Sequence, residues 1–298
     1  MRSEKFPRLL TSPSLAPEIE LAARLARAAG AAAMRYYGAA EARFRTSRNG
    51  LSPVTEADRV SNGIITEGLR WAFPDDDLLS EESPDGGTRL GRERVWIVDP
   101  LDGTKEFLSR NGEFSVMIGL AVGGEPVLGV VYLPVSDLLY VAARHAGAWV
   151  VRGGSVWRLQ ARRADLSRIR LLVSRSHADP LLDQIQDALG VAEVRACGSV
   201  GVKCARIAEG ESDLYIHPVP YLKEWDTCAP EVLLREAGGE VSDCFGAPLR
   251  YNKPDPVQPF GILAGAPGTL APALDRLLPI LASAPIGRAL APETSRNP

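Results

Sequence analysis

Two aspartates three residues apart form the group of side chains best suited to chemistry in this sequence. Asp99 and Asp102 belong to the run DPLDGT at 99–104, which directly follows the apolar segment VWIV at 95–98. The proline of this run fixes one backbone φ angle, and Gly103 lets the chain approach a ligand closely. Such a turn gathers hard oxygen ligands, from two carboxylates and a backbone carbonyl, which suit Mg²⁺ or Mn²⁺ better than zinc.

The alternative interpretation of this run is an ordinary surface turn, since Asp-Pro and Asp-Gly are common turn dipeptides. The apolar segment before it argues against that alternative, because carboxylates at a buried strand end carry a large desolvation penalty unless a positive charge pairs with them. Thr104 follows at the predicted start of a short helix, where free backbone N–H groups favour an anion. The run therefore predicts a divalent-metal site beside an anion.

Other acidic positions could complete this site. Glu81 and Glu82 follow an apolar pair and could add an acidic ligand, and the alternative for them is a solvated charge pair in a loop. Asp226 follows a tryptophan at the predicted start of a helix. Aspartate is a preferred N-cap residue, so structural capping is the alternative for Asp226.

The first half of the chain is predicted to form helices and then a β-meander. Helical spacing of apolar residues predicts a helix over 17–37. A second helix is predicted to begin near Thr55, where Asp58 three residues later forms a capping box. The segment 95–98 is predicted to be a buried strand, and a glycine pair predicts a hairpin turn within 114–134.

The second half is predicted to alternate strands and helices. The expected elements are a strand at 171–173, helices at 180–189 and 198–209, a strand at 213–217 and a helix at 226–237. This order predicts a layered α/β fold of two packed halves that form one compact catalytic unit. The expected divisions are a flexible lead-in at 1–16, an N-terminal half at 17–165, a C-terminal half at 166–284 and a flexible tail at 285–298.

Composition and charge exclude several classes of protein. The 298 residues carry 34 Lys+Arg against 37 Asp+Glu, and 45% are hydrophobic, which excludes a mainly disordered chain and argues against nucleic acid as a partner. No run approaches the roughly 20 apolar residues of a membrane span, and the N-terminus lacks the apolar region of a secretory signal. The four cysteines form no CxxC pair, so we expect reduced thiols and a cytoplasmic protein, with peripheral attachment to a membrane left open.

Four motifs, taken in order, resemble those of one enzyme family. They are SPVTEAD at 52–58, SEE at 80–82, DPLDGT at 99–104, and WD at 225–226 with EAGG at 236–239. In this order and spacing they are similar to the motifs of the lithium-sensitive, magnesium-dependent phosphomonoesterases of the inositol monophosphatase superfamily. The resemblance runs from about residue 17 to residue 270. It implies an αβαβα sandwich, metal-dependent hydrolysis of phosphate esters and inhibition by lithium.

Within the superfamily, three segments are similar to the 3′(2′),5′-bisphosphate nucleotidases of the CysQ type, enzymes of sulfur metabolism. They are KEF at 105–107, SRSH at 174–177 and EWDTCAPE at 224–231. The resemblance implies removal of the 3′-phosphate from adenosine 3′,5′-bisphosphate (PAP) to give AMP, with the sulfated form PAPS as a further substrate. The alternative is an inositol monophosphatase, or a sugar-phosphate phosphatase similar to fructose-1,6-bisphosphatase, with the same two-metal site.

The resemblance also assigns metal ligands by position. One Mg²⁺ would take Glu81, Asp99 and the Leu101 carbonyl. A second would take Asp99, Asp102 and Asp226, so that Asp99 bridges the two ions. Mn²⁺ is expected to substitute for Mg²⁺, and a third, weaker ion is implied beside the first.

Three catalytic residues are implied in the same way. Thr104 would accept the proton of the attacking water, and Asp58 would orient Thr104. Glu82 is the third, beside the weaker ion. Arg48 and Gly50 stand nearest the places where many relatives carry a lysine and an aspartate, so we expect weaker binding of that third ion.

The resemblance places substrate contacts mainly in the C-terminal half. The implied contacts are Gly103, Thr104, Ser174, His177, Gly198, Ser199 and Lys203. Arg175 and Lys223 are further candidates for holding a second phosphate by charge. The alternatives are that His177 caps the following helix and that Lys203 is a solvated surface charge. A homodimer is common in the superfamily, and the sequence leaves the oligomeric state open.

Two other classes of protein compete with this interpretation. Phosphatases that form an aspartyl-phosphate also end their motif in Asp-Gly-Thr, but their two aspartates are two positions apart instead of three. A ligand-binding relative without activity would lack a metal carboxylate or the catalytic threonine, whereas this chain has all of them. The sequence therefore favours an active hydrolase in which water attacks directly and no phosphoenzyme forms.

Overall fold

The computed structural model describes residues 15–39, 41–47, 50–176 and 181–284, without side-chain detail for 45–52. Most of the predicted lead-in and all of the predicted tail lie outside the described residues. Arg48 and His177 also lie outside them.

The described residues form helices and strands throughout the chain. The helices are α1 (Ala16–Met34), α2 (Glu56–Ala72), α3 (Thr104–Ser109), α4 (Leu182–Leu189), α5 (Val200–Ala208), α6 (Glu224–Glu236) and α7 (Leu270–Ser283). The strands are β1 (Arg43–Ser47), β2 (Gly50–Val54), β3 (Asp77–Ser80), β4 (Arg94–Asp102), β5 (Ser115–Val122), β6 (Glu125–Leu133), β7 (Leu138–Ala143), β8 (Gly147–Arg152), β9 (Ser155–Leu159), β10 (Arg170–Ser174), β11 (Glu193–Cys197), β12 (Leu214–His217), β13 (Glu240–Ser242) and β14 (Ile262–Gly265). A short 3₁₀ helix covers Thr88–Gly91.

The strands of the described residues build two large sheets and a small hairpin. The larger sheet has the order β3-β4-β5-β6-β7-β8-β9, and its neighbours are antiparallel except for the parallel pair β3–β4. The smaller sheet has the order β11-β10-β12-β14-β13, with parallel pairing of β10 to β11 and to β12. The hairpin is β1–β2.

Helices cover both faces of each sheet. On one face of the larger sheet, α1 and α2 pack Ile19 and Leu69 against Trp96 and Ile118. The helices α5 and α6 lie between the two sheets, while α4 and α7 cover the outer face of the smaller sheet. The layers therefore run α-β-α-β-α, which confirms the predicted sandwich.

Two glycines allow α6 to lie very close to the larger sheet. A Cβ on Gly119 would come within 2.5 Å of Cys228 Sγ, and a Cβ on Gly129 would come within 2.3 Å of Ala229 O. A side chain at either position would push the helix away, because neither contact leaves room for a methyl group. The contact holds the first turns of α6, including Asp226, against β5 and β6.

Local sequence signals predicted two element ends correctly. The capping box is confirmed, since Thr55 Oγ1 accepts from Ala57 N at 3.1 Å and Asp58 Oδ2 accepts from Thr55 N at 2.7 Å. The hairpin is confirmed too, with β5 and β6 joined at Gly123-Gly124. Both features depend on neighbouring residues alone.

Two expectations about the chemistry of the chain can also be compared with the structure. All four cysteines are buried and free, which agrees with the expected reduced thiols. Among the helices of the described residues, none has both the length and the apolar character that crossing a bilayer requires.

Candidate active site

An extra residue in β4 brings Asp99 and Asp102 onto one face of the larger sheet. Asp99 pairs with Met117 and Asp102 pairs with Ser115, so β4 advances three residues where β5 advances two. This β-bulge lets two positions three apart point the same way. The sequence predicted a turn here, but β4 continues through Asp102 because the bulge takes up Pro100, which has no N–H for the ladder.

Leu101 anchors this bulge. Its side chain is buried in an apolar cluster with Ala57, Phe107 and Phe114. Its backbone N–H donates to Asp99 Oδ1 at 3.0 Å. The bulge therefore holds the Asp99 carboxylate in a fixed orientation.

Asp99 is a buried carboxylate close to other carboxylates. It is 1% exposed. Burial raises its pKa well above the ordinary value, and the charges of Glu81, Asp102 and Asp226 raise the pKa further. Like charges in a buried site oppose one another's ionisation, and a bound cation would remove that conflict.

The start of α5 points at Asp102. Its Oδ2 atom accepts from Ser199 Oγ at 2.5 Å, from Val200 N at 2.6 Å and from Gly201 N at 3.2 Å. Burial raises the pKa of Asp102, while the charge of Lys203 and these hydrogen bonds lower it. Backbone N–H groups at a helix start stabilise an anion, so α5 favours the ionised form of this carboxylate.

Asp226 comes from the first turn of α6. The helix begins at Glu224, two residues earlier than predicted, because Glu224 N donates to Pro256 O at 2.8 Å. Lys223 is the N-cap, and Asp226 is the third residue of the helix, where its Oδ2 accepts from Lys223 N at 2.5 Å. Asp226 therefore does cap the helix, as the alternative interpretation expected, and it also faces the other carboxylates. Burial, followed by the charge of Asp102, raises the pKa of Asp226 to about 7.

These carboxylates fit a divalent cation. One oxygen from each of Asp99, Asp102 and Asp226 lies within 4.8 Å of the others. Glu81 lines the same cavity, and its charge acts on Asp99. An all-oxygen set with several negative charges suits Mg²⁺, Mn²⁺ or Ca²⁺ better than a softer metal.

Thr104 and Asp58 form a hydrogen-bonded pair beside this cluster. Thr104 Oγ1 donates to Asp58 Oδ1 at 3.0 Å. The other Asp58 oxygen accepts from Thr55 N at 2.7 Å and from Thr55 Oγ1 at 2.6 Å. Burial raises the pKa of Asp58, and the hydrogen bonds from Thr55 and Thr104 partly oppose this. Because Thr104 donates its hydroxyl proton to Asp58, the Thr104 oxygen can accept a hydrogen bond from a donor in the cavity.

A cavity of about 620 Å³ lies over these groups. The predicted site residues that line it are Glu81, Asp99, Leu101, Asp102, Gly103, Thr104, Ser174, Gly198, Ser199, Lys203 and Asp226. Asp58 is not among the lining residues and contacts the cavity wall through Thr104. Glu82 is not among them either. The contact predicted for His177 falls outside the described residues and stays a prediction.

Lys203 is a buried cation, so its interpretation as solvated surface charge is wrong. It is 3% exposed. Its Nζ donates to Ser199 O at 2.9 Å and lies 4.8 Å from the centre of the Tyr215 ring. These contacts hold a positive charge in the cavity wall, next to the helix start that binds Asp102.

The two basic candidates for a second phosphate are placed differently. Arg175 is not among the cavity-lining residues, and its guanidinium donates to Glu113 Oε2 at 2.8 Å and to Ala196 O at 2.6 Å. Lys223 does line the cavity, as does Lys105. Lys223 therefore lies in the cavity wall, where a second phosphate could reach it, whereas Arg175 binds a protein carboxylate.

Sequence reasoning missed one wall of the cavity, formed by residues 255–257. Glu224 is 0% exposed and holds the loop before this wall, since its carboxylate accepts from Asn252 N at 2.6 Å and from Lys253 Nζ at 2.8 Å. Taken on its own in the sequence, Glu224 would be assigned to the surface, and its burial shows that this assignment is wrong. No local signal indicated this contact, because it joins residues almost thirty positions apart.

Comparison with known sequences finds matches over most of the chain. The family model described as the inositol monophosphatase family matches residues 14–278. The 3′(2′),5′-bisphosphate nucleotidase CysQ of Escherichia coli strain K12 is 42% identical over 230 residues, which cover 77% of this chain and 92% of that protein. The family match includes Asp99, Asp102 and Asp226, which we call the acidic cluster.

Solved structures show the same fold. CysQ from Bacteroides thetaiotaomicron, described as a bacterial member of the inositol monophosphatase family, has a TM-score of 0.72 at 34% identity and covers 84% of this chain and 97% of that one. Inositol monophosphatase from Anabaena sp. PCC 7120 has a TM-score of 0.73 at 28% identity and covers 89% and 97%. These matches confirm the resemblance that the four motifs indicated, and the chain belongs to the inositol monophosphatase family.

Proposed function

We propose that this protein is a Mg²⁺-dependent 3′(2′),5′-bisphosphate nucleotidase that hydrolyses the 3′-phosphate of PAP to give AMP and phosphate. One observation carries the proposal: the acidic cluster and the Thr104–Asp58 pair share one cavity in a chain that is 42% identical to a nucleotidase of this name. PAPS is a further substrate in this proposal.

The carboxylates of the cluster would hold the metal ions. Asp99, Asp102 and Asp226 supply oxygens close enough to share a cation, and Glu81 and the Leu101 carbonyl are the remaining proposed ligands. Bound divalent ions would supply Lewis acidity, which lowers the pKa of a water molecule and neutralises charge on the leaving oxygen. Glu82 and a third ion belong to the same proposal, although Glu82 is not among the cavity-lining residues.

Thr104 and Asp58 would handle the proton of the attacking water. Thr104 accepts a hydrogen bond from that water while its own hydroxyl donates to Asp58 Oδ1. Since burial raises the pKa of Asp58, this carboxylate takes a proton more readily than an exposed aspartate. The water oxygen then attacks phosphorus and the bond to the ribose 3′-oxygen breaks. That oxygen takes up a proton from solvent, and Asp58 later returns to solvent the proton it received, so that the step balances.

The opposite wall would bind the rest of the nucleotide. Lys203 and Lys223 line the cavity and would attract the second phosphate, with Lys105 as a third positive charge. Ser174, Gly198 and Ser199 line the same side, although the hydroxyl of Ser199 is already bound to Asp102. A substrate with two phosphates therefore gains more from this wall than a monophosphate does.

A second candidate function is the same chemistry on an inositol or sugar phosphate. The similarity to the Anabaena inositol monophosphatase, at a TM-score of 0.73, supports it. Its lower sequence identity, 28% against 34% for the structure of CysQ from Bacteroides thetaiotaomicron, places it second.

Cellular location and assembly complete the proposal. Four buried free thiols are expected in a reducing compartment, which supports the cytoplasm. A homodimer is proposed from the family resemblance. Sedimentation at several protein concentrations would test it, and a single monomeric species would contradict it.

The deciding experiment measures phosphate release from PAP and from myo-inositol 1-phosphate side by side with Mg²⁺, each with and without lithium. We expect a strong preference for PAP and loss of activity in lithium or EDTA. A preference for inositol 1-phosphate would overturn the proposed substrate but keep the hydrolytic site. Full activity in EDTA would overturn the metal dependence.

A further inference from the structure

One wall of the cavity is attached to the opposite half of the molecule. Ser174 and Ser176 line the cavity at the carboxyl end of β10, which belongs to the smaller sheet. We call residues 174–176 the β10 end. The metal cluster and Thr104 come mostly from the larger sheet, so the separation of the β10 end from Thr104 determines the size of the site.

Glu106 makes the first attachment. This carboxylate is 4% exposed and accepts a hydrogen bond from Ser176 Oγ. Lys105, its neighbour on α3, donates from Nζ to Ser176 O at 3.4 Å. Both anchors follow Thr104 directly in α3, so the β10 end is attached to the short helix that begins with the proposed catalytic threonine.

Glu113 makes a second attachment nearby. Its Oε2 atom accepts from Arg175 Nε at 2.8 Å and from Gly198 N at 2.9 Å. Arg206 also donates to Glu113, to Oε1 at 3.3 Å. Two carboxylates of the N-terminal half therefore bind the β10 end and the segment before α5.

The contact between these parts is tight. A Cβ on Gly198 would lie 2.2 Å from Glu106 Cγ and 2.7 Å from Glu113 O. No larger residue fits at position 198 unless the two halves move apart, because such short distances leave no room for a methyl group. The side chain of Glu106 therefore acts as a spacer as well as a hydrogen-bond acceptor.

We propose that Glu106 is a positioning and specificity-determining residue that acts through Ser176. It sets the distance between Thr104 and the wall that receives the part of the substrate beyond the reacting phosphate. Identification of that part as a nucleoside phosphate rests on the proposed function. The attachment itself is a property of the fold and is tested with whichever substrate the enzyme prefers.

The inference predicts a selective defect. Removing the acceptor by E106A, or the donor by S176A, breaks the attachment of the Ser176 side chain, loosens the β10 end, and leaves its bonds to Lys105 and Glu113, the acidic cluster and the Thr104–Asp58 pair intact. Misplacing a binding wall weakens substrates that reach it, and a lost buried hydrogen bond is typically equivalent to about a tenfold change. A small ester such as p-nitrophenyl phosphate has no second phosphate for this wall to hold and should be spared.

The experiment measures kcat and KM of wild type, E106A, S176A and the double variant with PAP, myo-inositol 1-phosphate and p-nitrophenyl phosphate. For the substrate that wild type prefers, we expect KM to rise about tenfold in each single variant and by no more in the double variant, because both remove one interaction. We expect kcat for p-nitrophenyl phosphate to stay within about twofold. E106Q retains an acceptor oxygen and should restore most of the KM.

A matched control removes a similar bond far from the cavity. Tyr140 donates its hydroxyl to Glu209 Oε1 at 2.7 Å, and Tyr140→Phe should lower the melting temperature without changing any KM. Additive KM effects of E106A and S176A, or an equal loss of kcat on all three esters, would refute the positioning role. Failure of the proposed function would look different: wild type itself would prefer inositol 1-phosphate, and the same comparison would then be made with that ester.

Discussion

The two walls of the cavity differ in charge and in the way they are held. The wall from the larger sheet supplies Asp99, Asp102 and Thr104, whose positions follow from the bulge in β4 and its anchored leucine. The opposite wall supplies Lys203 and Lys223, which belong to the starts of helices and to contacts between layers. One wall is acidic and set within a single sheet, whereas the other is basic and depends on packing across the molecule.

Because of this difference, we expect the acidic wall to determine the rate of hydrolysis and the basic wall to determine which substrates bind. A change on the acidic wall should slow hydrolysis of every phosphate ester, because each substrate presents the same reacting group there. A change at Lys223 on the basic wall should weaken binding only of substrates with a second phosphate, whereas Lys203 also acts on Asp102 through its charge. Asp226 is the exception, since it comes from α6 but completes the acidic cluster.

The largest effect is expected from Asp99→Asn. Loss of this carboxylate should lower kcat/KM for PAP and for p-nitrophenyl phosphate by about 10³-fold or more, because metal-dependent hydrolysis requires the full ligand charge. The metal-free variant should melt at the same temperature as wild type or higher, since one repelling charge is removed. Phosphate release and thermal unfolding in EDTA would measure both.

Asp243→Asn is a matched control for that variant. Asp243 is a buried carboxylate that accepts from Phe245 N and Ala247 N, both at 2.8 Å, and it does not line the cavity. Its replacement should reduce stability and leave kcat unchanged. Appreciable activity of Asp99→Asn would exclude Asp99 as a metal ligand.

The next effect concerns the proton path. Thr104→Ala or Asp58→Asn should lower kcat by about 10²- to 10³-fold with little change in KM, because a positioned general base contributes about this much. Thr104→Ser keeps the hydroxyl and should retain most activity. A large rise in KM with unchanged kcat would show instead that Thr104 acts in binding, and steady-state kinetics on both esters would distinguish these outcomes.

The raised pKa of Asp226, in the acidic wall, predicts how the stability of the metal-free protein depends on pH. The pKa of Asp226 is raised from 3.8 to about 7, so between these values the folded state holds a proton that the unfolded state has lost. The contribution of this group to stability is therefore greatest below about pH 4, falls progressively by about 4 kcal/mol at most between about pH 4 and pH 7, and stays level above that range. Mg²⁺ binds the ionised carboxylates, so its stabilising effect should grow over the same range.

Thermal unfolding from about pH 5 to pH 8, in EDTA and in Mg²⁺, would test this linkage around the Asp226 pKa of about 7. Asp226→Asn should flatten the dependence in EDTA. A metal-free melting temperature that rises steadily across this range in wild type, with the same slope in the variant, would contradict the role of Asp226.

The smallest effect is expected on the basic wall. Lys223→Met should raise KM for PAP by about five- to tenfold and leave p-nitrophenyl phosphate unchanged, since it removes one charge that attracts the second phosphate. Arg152→Met is the control, because Arg152 pairs with Glu209 outside the cavity. An equal rise in KM for both esters would mean that Lys223 contacts the reacting phosphate.

The sequence was informative wherever a feature depends on neighbouring residues. The Thr55–Asp58 capping box, the hairpin turn and the metal-type spacing of Asp99 and Asp102 are all local, and each could be identified from a few letters. The motif order then predicted the layered fold, which the two sheets and the covering helices confirm.

The sequence was misleading where burial depends on distant residues. Surface charge was the alternative for Lys203 and the simplest interpretation of Glu224, but each is buried and finds its partners only after the layers assemble. The start of α6 was misplaced for the same reason, since the first residue of the helix, Glu224, donates its N–H to Pro256 O, a contact that the local sequence does not indicate. Hydrophobic spacing carries no information about such contacts, because they join segments that no periodic pattern relates.

The bulge in β4 makes the acidic wall sensitive to residue count rather than residue type. Removing one residue between Asp99 and Asp102 would restore regular pairing, in which side chains alternate between faces at every step. Asp99 and Asp102, now three positions apart, would become two apart and would still share a face. Deleting Leu101 would remove the anchor of the bulge, and deleting Pro100 would remove the residue that the bulge takes up. Adding one residue would turn Asp102 to the opposite face. A deletion would thus change the spacing of the two carboxylates, whereas an insertion would change the sheet face on which Asp102 lies. Only the insertion would send a carboxylate into the apolar layer beneath α1 and α2.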